Sequence, residues 1–168
     1  MNGFDAIAHS MTTISTGGFS TYNSSLGNFN SINIELICVI FMIVGSLPFV
    51  VYLKFVHGNL KSIFEDEQIK VFFYILIFSV LVMIFWLENN IHDNLLNSIR
   101  ISLFNITSIL TGTGYTTSNY NAWGGFGLII MLSIMFIGGS AGSTTGGIKI
   151  FRLLLLFRMA RVQIKKLT

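Results

Sequence analysis

From Val71 to Leu87 the chain reads VFFYILIFSVLVMIFWL, uninterrupted and uncharged. A helix rises about 1.5 Å per residue and a bilayer's hydrocarbon core is about 30 Å thick, so this run with its flanks can cross one. Such a segment belongs either in a membrane or at the centre of a large water-soluble core. Composition removes the second option. Of 168 residues 52% are hydrophobic and 10% charged, with a mean hydropathy of +0.73; a soluble domain carries roughly 25% charged residues. The polar surface that water demands is missing, and the implied fold class is an all-α integral membrane protein with the lipid bilayer as its surroundings. Trp86, near the far end of the run, suits an interfacial belt.

Two short turns point to what such a protein does. Ser15-Thr16-Gly17-Gly18-Phe19-Ser20 and Thr111-Gly112-Thr113-Gly114-Tyr115-Thr116 each follow a short apolar run and precede a long one. Glycine permits backbone conformations that aim successive carbonyls the same way. Carbonyl oxygens so arranged can replace an ion's hydration shell. The candidate ion filter is therefore Ser15, Thr16, Gly17, Gly18 and Phe19 together with Thr111, Gly112, Thr113, Gly114 and Tyr115.

The elements around these turns follow in order. Phe4, Ile7, Ala8, Met11 and Ile14 recur at helical spacing over residues 1–14, a stretch too short to span and suited to a half-membrane pore helix. His9 reads there as a satisfied polar contact rather than a metal ligand. Thr21 to Ser31 reads as an extended polar return, and Ile32 to Phe55 as a first long span kinked at Pro48. Glu65, Asp66 and Glu67 in the charged connector read as a solvated helix start rather than a metal site. Ile99 to Leu110 is the second pore helix, and Ser118 to Ala122 mirrors the earlier polar return. Cys38, the one cysteine, reads as a packing residue and allows no internal disulfide. No basic segment leads an isolated apolar stretch near Met1, so no cleaved leader is expected.

The last span starts at Trp123 and breaks at Gly138-Gly139-Ser140-Ala141-Gly142-Ser143-Thr144-Thr145-Gly146-Gly147. The helix before the break is about 22 Å long, short of the bilayer's thickness, so the break falls at membrane depth. Irregular backbone survives there where protein or a watery cavity satisfies it, which makes this segment a candidate gate under the filter. A basic helix then resumes from Ile148 to Lys166. Nine of the 10 Lys and Arg lie in the 54–70 connector or after residue 148, Arg100 being the exception. Those regions share the cytoplasm if residues 71–87 cross outward, 94–116 dip and return, and 123–157 cross back, leaving both turns outside.

An internal repeat ties the parts together. Gly18 on Gly114 pairs Phe19 with Tyr115, Ser20 with Thr116, Thr21 with Thr117 and Asn23 with Asn119. After two residues of slippage, Ile43-Val44-Gly45-Ser46 pairs with Ile137-Gly138-Gly139-Ser140. Similarity in turn and helix break alike argues for tandem membrane helix–pore helix–membrane helix repeats. Residues 1–56 hold the pore helix, filter turn and second helix of one unit, and residues 57–66 are a connector. Residues 67–168 form a complete next unit: helix 67–88, pore helix and filter 94–117, broken helix 123–166.

MTTISTGGFST, TSILTGTGYTT and GGSAGSTTGGIKIFR, in this order, resemble the TrkH/KtrB/HKT superfamily of potassium translocating subunits, closest to the bacterial TrkH type. The resemblance runs along essentially the whole chain. It implies four repeats around one pore in a longer polypeptide, this chain matching part of the second and all of the third. It implies K⁺ as the transported ion with nothing bound covalently, residues 138–147 as an intramembrane gating loop, and a multi-pass location in the bacterial inner membrane. It also implies a cytoplasmic nucleotide-binding regulatory ring (TrkA-type) and a homodimer of the full subunit. Na⁺ transport or Na⁺-coupled K⁺ transport on the same scaffold is the nearest alternative.

Other classes fit less well. Gly142 and Gly147 have P-loop spacing, but Ile148 stands where lysine should follow and the flanks are apolar. An enzyme needs converging titratable groups, whereas Glu35, Glu88, Asp93, His57 and His92 are scattered over interfaces and connectors. No enzymatic activity and no nucleic-acid partner are expected. Helix packing can explain Gly124, Gly125 and Gly127, but not two matching turns.

Overall fold

The computed structural model describes residues 1–58, 65–91 and 94–167. Its helices are α1 (Gly3–Ile14), α2 (Ile32–Ser46), α3 (Phe49–Val56), α4 (Glu67–Ile91), α5 (Leu95–Leu110), α6 (Gly124–Met135) and α7 (Ile150–Leu167). Among the described residues the β pairing is one isolated parallel bridge, Ile137 with Ile148. The fold is all-helical. Most of the 57–66 connector, Lys61 included, and the pair His92 and Asp93 lie outside the described residues.

α4 organises the larger core. Its N-terminus is held by Asp66, whose Oδ1 accepts the Gln68 amide at 2.8 Å, a solvated helix start of the kind acids favour. Ile69, Phe72, Leu76, Val80, Met83 and Leu87 are buried at helical spacing, most of them in one cluster with Ile106 and Leu110 of α5, Met131 and Ile134 of α6, and Trp123 just before α6. Tyr74, Phe78, Leu81 and Phe85 on the other side are exposed. Most of the apolar stretch within Glu67–Asn90 is not buried, and the helix is long and apolar enough to cross a membrane. Trp86 does more than sit at a boundary: its Nε1 donates to Trp123 O at 2.8 Å, joining the end of α4 to the start of α6.

Several element boundaries differ from the sequence reading. The kinked span over Ile32 to Phe55 is instead two helices, α2 and α3, meeting at 95°. Leu47 precedes Pro48 and is driven to an extended conformation, φ −83° and ψ 156°. The helix therefore stops at Ser46, and Pro48 opens a new one. The return over Thr21 to Ser31 contains a 3₁₀ turn at Ser25–Phe29 rather than extended chain, and its mirror holds another at Tyr120–Trp123. α4 runs past residue 88 to Ile91, and α5 starts at Leu95 rather than Ile99. The last break is wider than its glycines: α6 ends at Met135 and α7 begins at Ile150. Packing accounts for Gly127, where a Cβ would lie 2.8 Å from Trp123 Cβ, but Gly124 and Gly125 have nothing within 4 Å of that position.

A second core joins the two halves. Leu26, Cys38, Val39 and Met42 pack with Phe104 and Tyr115, and Cys38 is a buried packing residue. Across this seam Glu35, 3% exposed, receives Arg100 through Nε and Nη2, both at 2.7 Å.

Candidate functional site

Helices α1 and α5 end in the same hydrogen-bonded turn. In the first, Ser15 N donates to Met11 O at 3.1 Å, Thr16 N to Thr13 O at 3.1 Å and Gly17 N to Thr12 O at 2.7 Å. In the second, Thr111 N donates to Thr107 O at 2.9 Å, Gly112 N to Ile109 O at 3.0 Å and Thr113 N to Ser108 O at 2.9 Å. The left-handed positions also correspond: Thr16 with φ 50° and Gly112 with 70°, then Gly18 with 68° and Gly114 with 85°. Sequence comparison finds one shared glycine, but the backbone shares two special positions. At the first of them Thr16 takes a conformation that costs a β-branched residue dearly.

These turns leave carbonyls open. Among the described residues no protein donor reaches the carbonyl oxygens of Thr16, Gly17, Gly18, Thr111, Gly112, Thr113 or Gly114. The next carbonyls outward are occupied: Phe19 O accepts Thr12 Oγ1 at 3.0 Å, and Tyr115 O accepts Ser108 Oγ at 2.7 Å. Unpaired carbonyls are what a dehydrated cation needs. The C-termini of α1 and α5 lead into the turns with no basic residue in their last turn, so the negative ends of both dipoles favour a cation there. The two turns touch, since a Cβ at Gly18 would lie 1.7 Å from Thr113 O.

Their outer ends part company. Tyr115 is fully buried; its hydroxyl donates to His9 O at 3.2 Å and contacts the Thr12 hydroxyl, so the second turn is pinned to α1. Its sequence counterpart Phe19 is 77% exposed. His9 is a satisfied contact, Nδ1 on Asp5 O at 2.7 Å and Nε2 on Ser20 Oγ at 2.9 Å. Above the turns, the Asp5 carboxylate accepts the Tyr22 hydroxyl at 3.1 Å and pushes that phenol above its usual range. Burial does the same to Tyr120, which donates to Asn105 Oδ1 at 3.1 Å. Both stay neutral donors at physiological pH.

The Gly138 to Gly147 segment is irregular backbone folded under both turns. Its neck is closed by Gly138 N to Ile148 O at 2.9 Å, Ile148 N to Phe136 O at 3.0 Å and Ile150 N to Gly139 O at 3.2 Å. A side chain at Gly138 is excluded, because its Cβ would lie 2.0 Å from Gly146 O. One flank docks on the α2–α3 corner: Ser140 N donates to Ser46 O at 3.0 Å, Thr144 N to Gly45 O at 3.2 Å, and Phe49 N to Gly142 O at 3.0 Å. The groups freed by the Pro48 break are thus paired with those of the loop. Ala141 N reaches Gln68 Oε1 at 2.9 Å, Ser143 Oγ donates to Ser140 O at 2.6 Å, and Gly139 N donates to Thr145 Oγ1 at 2.9 Å. Lys149 Nζ also donates to Thr145 Oγ1, at 2.9 Å. Gly146 and Gly147 lie exposed on the other flank, where a Cβ at Gly112 would come 3.4 Å from Gly146 N.

Sequence reasoning missed Thr12 and Ser108, whose carbonyls hold the turns; the repeat alignment places them opposite each other and could have found them. Glu35 was set aside as scattered, and its partner Arg100 stands far off in sequence. Among the described residues no group of three or more His, Cys, Asp or Glu could hold a metal.

An all-helical architecture thus brings two open-carbonyl turns and an irregular loop into contact. A family model described as a cation transport protein, TrkH, matches residues 1–168, and the chain belongs to that family. It is 36% identical over 172 residues to the Trk system potassium uptake protein TrkH of Escherichia coli (strain K12), covering 99% of this chain and 35% of that protein. It is 35% identical over 170 residues to the TrkH of Salmonella typhimurium, again covering 99% and 35%. The crystal structure of the potassium transporter TrkH from Vibrio parahaemolyticus matches with a TM-score of 0.93 at 36% identity, over 99% of this chain and 36% of that one. The chain spans about a third of the length of the relatives it matches.

Proposed function

We propose that this chain forms part of the ion path of a potassium uptake subunit, its two turns contributing to one backbone-carbonyl filter and residues 138–147 forming the gate. The observation that carries this reading is the pair of turns with one bonding pattern, the first leaving three carbonyls (residues 16–18) and the second four (residues 111–114) unpaired among the described residues, at the negative end of a helix. The relatives' description as potassium uptake proteins supports K⁺ as the ion. In this reading the chain supplies two tandem membrane helix–pore helix–membrane helix units of a longer, multi-pass subunit in the bacterial cytoplasmic membrane. The ion pair between Glu67 and Arg158 puts the start of α4 and the body of α7 at one end of the fold. The basic residues of α7 gather toward that end, which in this reading faces the cytoplasm. There α7 meets a nucleotide-binding regulatory ring, and the full subunit pairs as a homodimer.

The test uses the full-length subunit in a bacterium deficient in potassium uptake. Gly114→Ser adds a Cβ where φ is 85° and should abolish growth at low K⁺ or let Na⁺ compete. Wild-type uptake and wild-type K⁺/Na⁺ preference at equal membrane abundance would take Gly114 out of the filter.

A further inference from the structure

Thr16 is the one filter residue that holds a left-handed φ, 50°, without being glycine. At the matching place the second turn uses Gly112, which needs no support. Something must hold Thr16 in place. It is 7% exposed, and its Oγ1 donates to its own neighbour's carbonyl, Ser15 O, at 2.8 Å. The same single proton has a second acceptor in the gate segment: Thr16 Oγ1 donates to Thr144 Oγ1 at 3.2 Å in alternation with Ser15 O. Thr144 is itself fixed, with Oγ1 3.0 Å from Gly45 O and 3.3 Å from Ile14 O, and its amide 3.2 Å from Gly45 O. With its own proton on Gly45 O or Ile14 O, the Thr144 hydroxyl oxygen accepts from Thr16, so this one group bridges the strained filter residue and the neighbouring helix ends.

We infer that Thr144 is a positioning residue for the filter: its hydroxyl holds Thr16 in the left-handed conformation that aims the first turn's carbonyls. The inference rests on the reading of the two turns as a cation filter. Thr144 belongs to the docked flank of the loop, bonded to the α2–α3 corner through Ser140, Gly142 and Thr144. Its support therefore belongs to that corner, while Gly146 lies under the second turn. Without the hydroxyl, Thr16 relaxes toward the conformations a β-branched residue prefers. The carbonyls on either side of it then lose their aim, and K⁺ loses its advantage over Na⁺.

The readout is K⁺ uptake and its competition by Na⁺, measured on the full-length subunit in an uptake-deficient bacterium. Thr144→Val keeps the shape and removes the hydroxyl; K⁺/Na⁺ preference should fall roughly fivefold, the weight of one net hydrogen bond. Thr144→Ser keeps the hydroxyl and should keep the preference. Thr16→Gly places in the first turn the residue type the second turn uses, so Thr144→Val should change nothing further in that background. If Thr144→Val does not reach wild-type abundance, Thr144→Ala replaces it with the same expected fall. An unchanged preference in the variants lacking the hydroxyl, or an equal fall in the Thr16→Gly background, would overturn the inference. A wild-type subunit without K⁺ uptake would defeat the functional reading itself, and this inference with it.

Discussion

Gly18 and Gly114 share a backbone conformation but not their surroundings. A Cβ on Gly114 meets nothing within 4 Å, whereas one on Gly18 would lie 1.7 Å from Thr113 O. Alanine at Gly114 thus costs about 1–2 kcal/mol for the left-handed φ alone. At Gly18 the same change also drives the two turns apart. Gly114→Ala should leave the full-length subunit assembled with reduced K⁺ uptake, while Gly18→Ala should lose assembly or K⁺ preference altogether. Thermal stability in detergent and uptake at matched abundance check this; equal effects at both positions would refute it. The turns themselves were legible, because glycine beside threonine after a short apolar run has few uses. Thr16 was not: its left-handed φ stands where the second turn has glycine, and pairing residues by type does not reveal a backbone conformation or the Ser15 and Thr144 contacts that go with it.

Among the elements, the α2–α3 corner and the loop complete each other. Pro48 announced a disturbance, and the rule for residues before proline explains why α2 ends there. A right angle rather than a kink needs partners for Gly45 O, Ser46 O and Phe49 N, and these come from residues 140–144. So distant a pairing leaves no periodic trace in the sequence. Deleting Ser140 to Gly146 in the full-length subunit should raise K⁺ flux and weaken control by the regulatory partner. It should also lower thermal stability, since the corner's polar groups lose their partners at a cost of about 1–3 kcal/mol each. A variant that assembles with wild-type flux, regulation and stability would show that the loop neither obstructs nor supports.

For the whole molecule, the seam between the halves matters most. Glu35 comes from the first half and Arg100 from the second, and their two-pronged contact is the cross-seam ion pair among the described residues. Arg100→Met would strand a carboxylate whose side chain is 5% exposed. The full-length subunit should lose about 2–4 kcal/mol, below the highest losses seen for buried pairs because Arg100 keeps 27% of its side chain exposed. Replacing both residues by Leu and Met should recover part of that loss. A thermal midpoint that does not move in Arg100→Met would show the pair to be incidental. The sequence marked Arg100 as the lone basic residue away from the cytoplasmic regions without saying what it faced.

The neck of the loop has a mechanical consequence. Three backbone bonds, two of which make up the Ile137–Ile148 bridge, close residues 138–147 into a ring. A chain that merely sagged between two helices would absorb a tug by straightening. A closed ring has no such slack. A pull on the first turn of α7 therefore loads the clasp at Gly138, Ile148 and Ile150 and the loop's bonds to Gly45, Ser46 and Phe49 before it reaches Gly146.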